Sequence, residues 1–86
     1  MAYAKPKQIT GQMPQHCCDD DRQWINDKLL YCNNPIERRK VCEAYSKVYS
    51  ETFEAEKNEI KKEGRARFEA NCRLRIYIDK KFRVFN

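Results

Sequence analysis

The 86-residue sequence has only two glycines, three prolines and one histidine, and it contains no long apolar run. No stretch approaches the roughly 18 apolar residues of a membrane-spanning helix, and the N-terminus lacks the apolar core of a secretion signal. We therefore do not expect the protein to bind a membrane. Two distant glycines cannot form a glycine-rich phosphate loop. One histidine in so short a chain offers little to catalysis, and we expect a binding protein without a cofactor, not an enzyme.

Large apolar residues are also few. Leu, Ile, Val and Phe account for 16 of the 86 positions, a fraction close to that of disordered chains. Ten aromatic residues can bury large areas, which favours a folded domain with a thin core. A domain of this size has little stability to spare and commonly depends on a partner or on a second copy of itself.

Five cysteines stand at positions 17, 18, 32, 42 and 72. Adjacent cysteines form only strained disulfides, and without a secretion signal we interpret all five as reduced thiols of a cytoplasmic protein. His16, Cys17, Cys18 and Cys32 are weak candidates for zinc ligands, because the C-x₂-C spacing of structural zinc sites is missing. We therefore predict no metal. His16 and Cys17 could act as a nucleophilic pair only on a rigid scaffold, which this segment does not offer.

The N-terminal segment 1–18 holds two of the three prolines and shows no periodicity, which predicts a flexible, disordered arm. Residues 19–86 are expected to form a single small helical domain. Its first helix, at about 20–32, begins at Asp19–Asp21, whose acidic side chains suit the N-terminus of a helix.

The strongest pattern predicts a second helix at about 35–62. Asn34 is placed as its N-cap, Pro35 suits the first helical position, and Glu37 stands where a capping box has its acid. One half of this helix is apolar and aromatic, and the other half is charged. The short link before it predicts that the first two helices pack antiparallel. Gly64 is interpreted as a helix stop or a hinge.

Two structures fit the segment after Gly64. A third helix at about 65–79 would have an apolar stripe along one side. Strands at 72–78 and 82–85 would alternate apolar and polar residues in a β-hairpin, but their turn lacks Gly, Asn or Pro. We favour a mainly-α fold, a small three-helix domain. The α+β alternative, a helical hairpin followed by a C-terminal β-hairpin, stays open.

The net charge of +5 is concentrated at the C-terminus. Residues 64–86 carry seven basic and two acidic side chains, so this quarter of the chain equals the whole net charge. Arginine predominates and aromatic residues are interleaved, a composition that suits phosphate groups and stacked bases. The candidate nucleic-acid-binding residues are Arg65, Arg67, Arg73, Arg75, Lys80, Lys81 and Arg83.

The arrangement of these cations depends on the fold. On a helix the arginines point in several directions and could not all reach one duplex backbone, so they could instead pair with glutamates or with an acidic protein surface. Arg73, Arg75 and Arg83 are the best candidates for phosphate contact. A basic cluster in the first turns of the second helix opposes the helix dipole, which a bound anion would relieve. This secondary anion site consists of Arg38, Arg39 and Lys40.

A second apolar stripe would lie on the opposite side of a C-terminal helix. It consists of Phe68, Cys72 and Ile76, and a three-helix monomer would leave it exposed. Exposed apolar stripes are typical of protein interfaces. We predict a partner surface here, for a host DNA-metabolism protein or for a second copy of the chain.

The strings MPQHC at 13–17, DRQWINDKL at 21–29 and ARFEANCRLR at 66–75 resemble small open reading frames of lambda-like phages and prophages. Such frames lie among early genes for replication, recombination and host takeover. The resemblance implies a bacterial cytoplasm and a non-catalytic accessory role, and it transfers no functional residue.

Our leading hypothesis is therefore a phage-type accessory protein that binds nucleic acid or a nucleoprotein complex through its basic C-terminal segment. The alternatives are a protein–protein module that inhibits or recruits a host DNA-processing enzyme, and a structural homodimer.

Overall fold

The computed structural model describes residues 11–82, which form three α-helices and, within that range, no strand. Helix α1 spans Arg22–Leu29, α2 spans Pro35–Ala55 and α3 spans Lys62–Phe82. The mainly-α class is confirmed. The β-hairpin alternative is wrong, because residues 72–82 continue α3. The helix is the more stable of the two structures because it buries a continuous row of side chains, whereas the hairpin would have a turn without Gly, Asn or Pro.

The start of α2 follows its sequence pattern. Asn34 has an extended backbone, and its side-chain oxygen accepts a hydrogen bond from the Glu37 N–H at 2.8 Å. Pro35 occupies the first helical position, where its missing N–H is not needed. The predicted cap is therefore present.

Helix α2 ends at Ala55 rather than at the expected residue 62. The next residue, Glu56, has an extended backbone and accepts a hydrogen bond from the Asn58 N–H at 3.1 Å. The Asn58 side chain in turn accepts from the Ile60 N–H at 3.0 Å. Such local side-chain contacts offer the backbone a turn in place of the helix.

The other two helices also differ from their expected bounds. Helix α3 begins at Lys62 and continues through Phe82, so Gly64 lies inside its first turn and is not a stop. Helix α1 is shorter than expected, because Asp19–Asp21 form a 3₁₀ turn with no side-chain cap.

Helices α2 and α3 pack antiparallel and make most of the interhelical contacts. The register is fixed at its ends by the Lys62 amine, which donates to the Phe53 carbonyl at 3.1 Å, and by the pair of Lys81 with Glu37. Helix α1 contacts mainly α3. The sequence predicted that α1 and α2 pack antiparallel across their short link, but the contacts between these two helices are few.

The core lies between the three helices and consists mostly of small and medium-sized side chains. Its fully buried members include Ile25, Leu29 and Ile78. The buried face of α3 is a row at i, i+4 spacing that contains Ala66, Ala70, Leu74 and Ile78. Two alanines in this row let α3 approach its neighbours closely, which compensates for the scarcity of large apolar residues.

Residues 11–18 pack against this core, so the expected arm is wrong over that stretch, and residues 1–10 lie outside the described part of the chain. Met13 and Cys17 contact the core cluster, and Pro14 is buried. The Gln12 carbonyl accepts hydrogen bonds from the Arg38 Nε at 2.7 Å and from the Cys42 thiol. Long-range hydrogen bonds thus hold a segment that has no regular structure.

Within residues 11–82, no helix combines the length and the apolar character that crossing a membrane requires.

Candidate interaction face on helix α3

A polar network joins the start of the domain to α2 and α3, and it uses one of the arginines predicted to bind phosphate. Both carboxylate oxygens of Asp21 accept from the Arg67 guanidinium, at 2.8 and 2.9 Å. Asp21 also accepts a hydrogen bond from the side-chain amide nitrogen of Asn71 at 3.0 Å, and the Tyr45 hydroxyl donates one to the side-chain oxygen of Asn71. Arg67 is therefore held in a bidentate ion pair and is not free to bind a phosphate.

The electrostatics of this network favour its charged form. The hydrogen bonds from Arg67 and Asn71 hold the pKa of Asp21 below its usual range, and Asp21 raises the pKa of Arg67. Burial raises the pKa of Tyr45, so the phenol remains a donor to Asn71. One sequence signal could have indicated this network, namely the run of three acidic residues, Asp19–Asp21, before α1. The start of a helix does not need three acidic side chains, so one of them can pair with a residue elsewhere in the fold.

Three of the other six predicted C-terminal cations also face carboxylates. Arg65 lies 3.8 Å from Glu56, and Arg73 lies 3.8 Å from Glu69, both at the exposed surface. Lys81 pairs with Glu37, and each partner shifts the pKa of the other towards the charged state. These pairs are the intramolecular alternative that the sequence had left open.

Two of the predicted cations remain without such a partner. Arg75 and Lys80 are exposed, and neither forms an ion pair with a carboxylate of residues 11–82. The seventh candidate, Arg83, lies outside the described residues. The structure therefore does not assemble the candidate cations into one phosphate-binding row.

The secondary anion site at the start of α2 is not assembled either. Arg38 donates to the Gln12 carbonyl and, at 2.9 Å, to the Asn26 side-chain oxygen, so it fixes the N-terminal segment to α1. Arg39 and Lys40 are exposed. The anion site with all three side chains stays a prediction, and Arg38 would have to leave its two neutral acceptors to take part in it, which the local sequence pattern could not show.

The five cysteines are all free thiols. Over residues 11–82 no cluster of three or more His, Cys, Asp or Glu side chains is placed to hold a metal ion. The weak zinc candidates have other contacts: the backbone N–H of His16 donates to Ser46, and the Cys18 thiol donates to Glu63. Burial raises the pKa of Cys42 to about 11 and also raises the pKa values of Cys17 and Cys32, which keeps these thiols protonated.

The most distinctive surface is the side of α3 that faces away from the core. Phe68 is 65% exposed and Ile76 is 56% exposed, with the half-buried Cys72 between them at i, i+4, i+8 spacing. These three residues are here called the α3 outer face. The partner surface that the sequence predicted is therefore exposed as a continuous stripe.

A groove runs along the α1 side of this face. It has a volume of about 390 Å³ and is open to solvent. Its apolar walls are Trp24 on one side and Phe68 with Cys72 on the other, and Arg75 stands at its rim. The residues that line it are Trp24, Gly64, Arg67, Phe68, Asn71, Cys72 and Arg75.

Charged side chains form the opposite rim of the α3 outer face. Arg65, Glu69 and Arg73 follow one another at four-residue spacing and line a polar cleft of about 400 Å³ against α2. The α3 outer face is thus an apolar stripe between two charged rims, the arrangement of a small protein interface.

Comparisons with protein-family models, with curated proteins and with solved structures find no match.

Proposed function

We propose that this protein is a non-catalytic accessory protein that binds another protein through the α3 outer face. The observation that carries the proposal is the exposure of Phe68 and Ile76 on one continuous stripe. Burying these two side chains against a partner would contribute a favourable free energy of about 25 cal/mol for each Å² of apolar surface that is removed from water.

The exposure is informative because the chain has few large apolar residues. With Leu, Ile, Val and Phe at 16 of 86 positions, the core has to be completed with alanine, cysteine and tyrosine. Phe68 and Ile76 nevertheless lie outside it. An aligned apolar pair on the outside of a helix is best explained by a surface that is covered in the working state of the protein.

Nucleic-acid binding is the second candidate. The net charge of +5 favours it, as do Arg75 and Lys80, which form no ion pair with a carboxylate of residues 11–82. Its support is weaker, because four of the six candidate cations that lie within residues 11–82 already face carboxylates: Arg65, Arg67, Arg73 and Lys81. A phosphate ligand would have to compete with each of those partners. The resemblance to early phage proteins supports either candidate and implies a partner in a bacterial cytoplasm.

The test is affinity capture from a nuclease-treated bacterial lysate with two matched double variants. Phe68→Glu/Ile76→Glu puts charge on the α3 outer face, and Ile36→Glu/Ile60→Glu puts the same charge at two other exposed isoleucines, 60% and 92% exposed. We expect a protein that the wild type and the control variant retain and that the face variant loses.

Two results would count against the proposal. Equal retention by both double variants would remove the α3 outer face as the binding surface. Complete loss of captured protein on nuclease treatment would favour the nucleic-acid candidate, and a salt titration with DNA and RNA duplexes and single strands would then measure its phosphate contacts.

A further inference from the structure

We propose that the groove between α1 and α3 binds single-stranded nucleic acid, with an unpaired base stacked on Trp24 and Phe68 and a phosphate on Arg75. This inference goes beyond the proposed protein partner, because it gives the nucleic-acid candidate a site and a ligand class. It follows from the aromatic walls of the groove, from its charge and from the pairing of the cations on α3.

The walls of the groove carry aromatic side chains from two helices. Trp24 lies on α1, and Phe68, which is 65% exposed, lies on α3. Lys28 lies over the Trp24 ring at 5.6 Å from its centroid, but it does not line the groove, so it leaves the part of the indole that faces the groove uncovered. Aromatic side chains hold single strands because every base has a flat face that can stack on them.

The charge of the groove suits an anion. Arg67 and Arg75 line it, and none of the carboxylates in the described part of the chain does. Arg67 is held by Asp21, whereas Arg75 is exposed and forms no ion pair within residues 11–82, not even with Asp79 one turn further along α3. The cleft against α2 differs, since three glutamates outnumber its two arginines. The Arg75 guanidinium is thus available, and its planar fork matches the oxygens of a phosphate.

The pairing of the other cations favours a single strand over a duplex. A duplex is bound mainly through its phosphates, by several cations together. Four of the six candidate cations within residues 11–82 already face carboxylates, so no such row is present there. A single strand gains part of its affinity from stacking, which requires aromatic faces rather than many cations. The groove supplies those faces beside Arg75.

The same groove is less suited to an acidic peptide, because its other polar side chains are engaged within the fold. Asn71 donates to Asp21 and accepts from the Tyr45 hydroxyl, and Arg67 is held by Asp21. A peptide backbone laid in the groove would lose water from its N–H and C=O groups without gaining partners there. The polar atoms of a base lie on its edge, which can stay in solvent while its face stacks.

The expected affinity is modest and its salt dependence is shallow. One stacked base and one or two phosphates give a dissociation constant on the order of 10–100 μM at about 50 mM salt. Each phosphate contact on a single strand contributes about −0.7 to the slope of log K against log salt, so we expect a slope between about −0.7 and −1.4. A slope steeper than about −3 would require a row of cations that the described residues do not form, and it would refute the site.

The first experiment uses Trp24, the single tryptophan of the chain, as a reporter. Labelled oligo(dT) of about 12 nucleotides is titrated with the full chain for anisotropy, and unlabelled oligo(dT) is titrated into the protein while Trp24 fluorescence is followed. We expect binding and quenching over the same concentrations, and binding of a duplex of equal length that is about tenfold weaker or more. Absence of binding up to about 500 μM, binding without quenching, or equal affinity for the duplex overturns the proposal.

Charge reversal at Arg75 tests the phosphate contact. Arg75→Glu should weaken oligo(dT) binding about tenfold or more, because it replaces the cation of the groove with an anion. Lys47→Glu is the matched control, since it makes the same change of charge at an exposed residue of α2 outside the groove, and it should weaken binding about twofold at most. Equal weakening by both variants would show that net charge, not the groove, attracts the strand, and the site would be refuted.

Two substitutions at Phe68 test the stacking. Phe68→Leu keeps an apolar side chain but removes the ring, and it should weaken oligo(dT) binding about fivefold or more. Phe68→Tyr keeps the ring and should bind like the wild type. Because Phe68 is 65% exposed, neither change disturbs the core. Equal affinities of the two variants would exclude a base on Phe68 and overturn the arrangement.

An acidic peptide with one central phenylalanine, titrated in the same way, tests the rival occupant. We expect it to bind at least about tenfold more weakly than oligo(dT). A peptide that binds more tightly than oligo(dT) and loses its affinity in Arg75→Glu would assign the groove to a protein segment and overturn the proposal.

The outcomes also separate this inference from the proposed function. A chain that captures a protein through the α3 outer face but does not bind oligo(dT) overturns this inference alone. A chain that binds oligo(dT) with quenching of Trp24, while both double variants capture the same proteins, supports this inference and counts against the protein partner.

Discussion

The inward and outward sides of α3 use the same residue types for opposite purposes. On the inward side Ile78 is fully buried, and at the groove on the α1 side Arg67 is held by Asp21. On the outward side Ile76 is 56% exposed, and Arg75, which lines the same groove as Arg67, has no carboxylate partner within residues 11–82. A residue type on this helix thus carries no functional meaning until its neighbours are known. The inward side holds the fold, and the outward side is free to bind.

The largest contrast is expected between two isoleucines two positions apart. Ile78→Ala removes a fully buried side chain and leaves a cavity, and it should lower the free energy of unfolding by about 2–4 kcal/mol. Ile76→Ala should change it by less than about 0.5 kcal/mol, because the side chain is largely exposed in the monomer. Urea unfolding at low protein concentration measures both.

The outcome for Ile76 is decisive for the comparison. A cost for Ile76→Ala similar to that for Ile78→Ala would show that the outward side also belongs to the core, and the α3 outer face would lose its status as a free surface.

The next largest effect concerns the Asp21 network. Asp21→Ala removes the acceptor of Arg67 and Asn71 at a site where the Asp21 side chain is only 13% exposed, and it should cost about 2 kcal/mol of unfolding free energy. Asp20→Ala is the matched control, since Asp20 is exposed and makes no such contacts. Equal effects of the two substitutions would mean that helix-start charge, not the network, is what stabilises the domain.

How much of this could be predicted from sequence depends on the range of the contacts. The Asn34 cap, the helical character of α2 and the stripe from Phe68 to Ile76 are local patterns, and the sequence showed them. The ion pair of Asp21 with Arg67 joins residues 46 positions apart, and the hold of Arg38 on Gln12 spans 26. No local pattern encodes such partners.

The helix ends show the same division. Glycine is a residue type that commonly ends a helix, and Gly64 was interpreted in that way. The contact of Lys62 with Phe53 fixes the register of α3, and this tertiary contact overrides the local preference of the glycine. Among the carboxylate partners of the C-terminal cations within residues 11–82, only Glu69 lies within one helical turn of its cation, Arg73. The other partners are distant in sequence: Asp21, Glu37 and Glu56.

Acid titration should reveal the inward network. Because the pKa of Asp21 is lowered in the folded state, the unfolded chain binds a proton there first, so the stabilisation is fully present above the unfolded pKa of about 4 and is lost as the pH falls through the folded value. The wild type should therefore lose stability below about pH 4. Urea midpoints from pH 7 to pH 2.5 measure this loss.

The matched comparison is between Asp21→Asn and Asp20→Asn. The first substitution removes the titrating group and should flatten the acid limb, whereas the second should leave it close to that of the wild type. An unchanged acid limb in Asp21→Asn would assign the acid sensitivity to other carboxylates, among them Glu37, whose pKa is also lowered by Lys81.

The smallest effects are expected at the two glycines, and they should have opposite signs. Gly64 lies in the first turn of α3, and a Cβ there would meet nothing within 4 Å, so Gly64→Ala should stabilise the monomer by about 0.5 kcal/mol through the reduced entropy of the unfolded chain.

Gly11 has a φ of +92°, and a Cβ there would lie 3.1 Å from the Arg38 guanidinium carbon. Gly11→Ala should therefore destabilise by about 1 kcal/mol, because backbone strain adds to displacement of the side chain that holds Gln12. Urea unfolding resolves both signs, and a neutral result at Gly11 would show that the packed segment 11–18 contributes little to the stability of the domain.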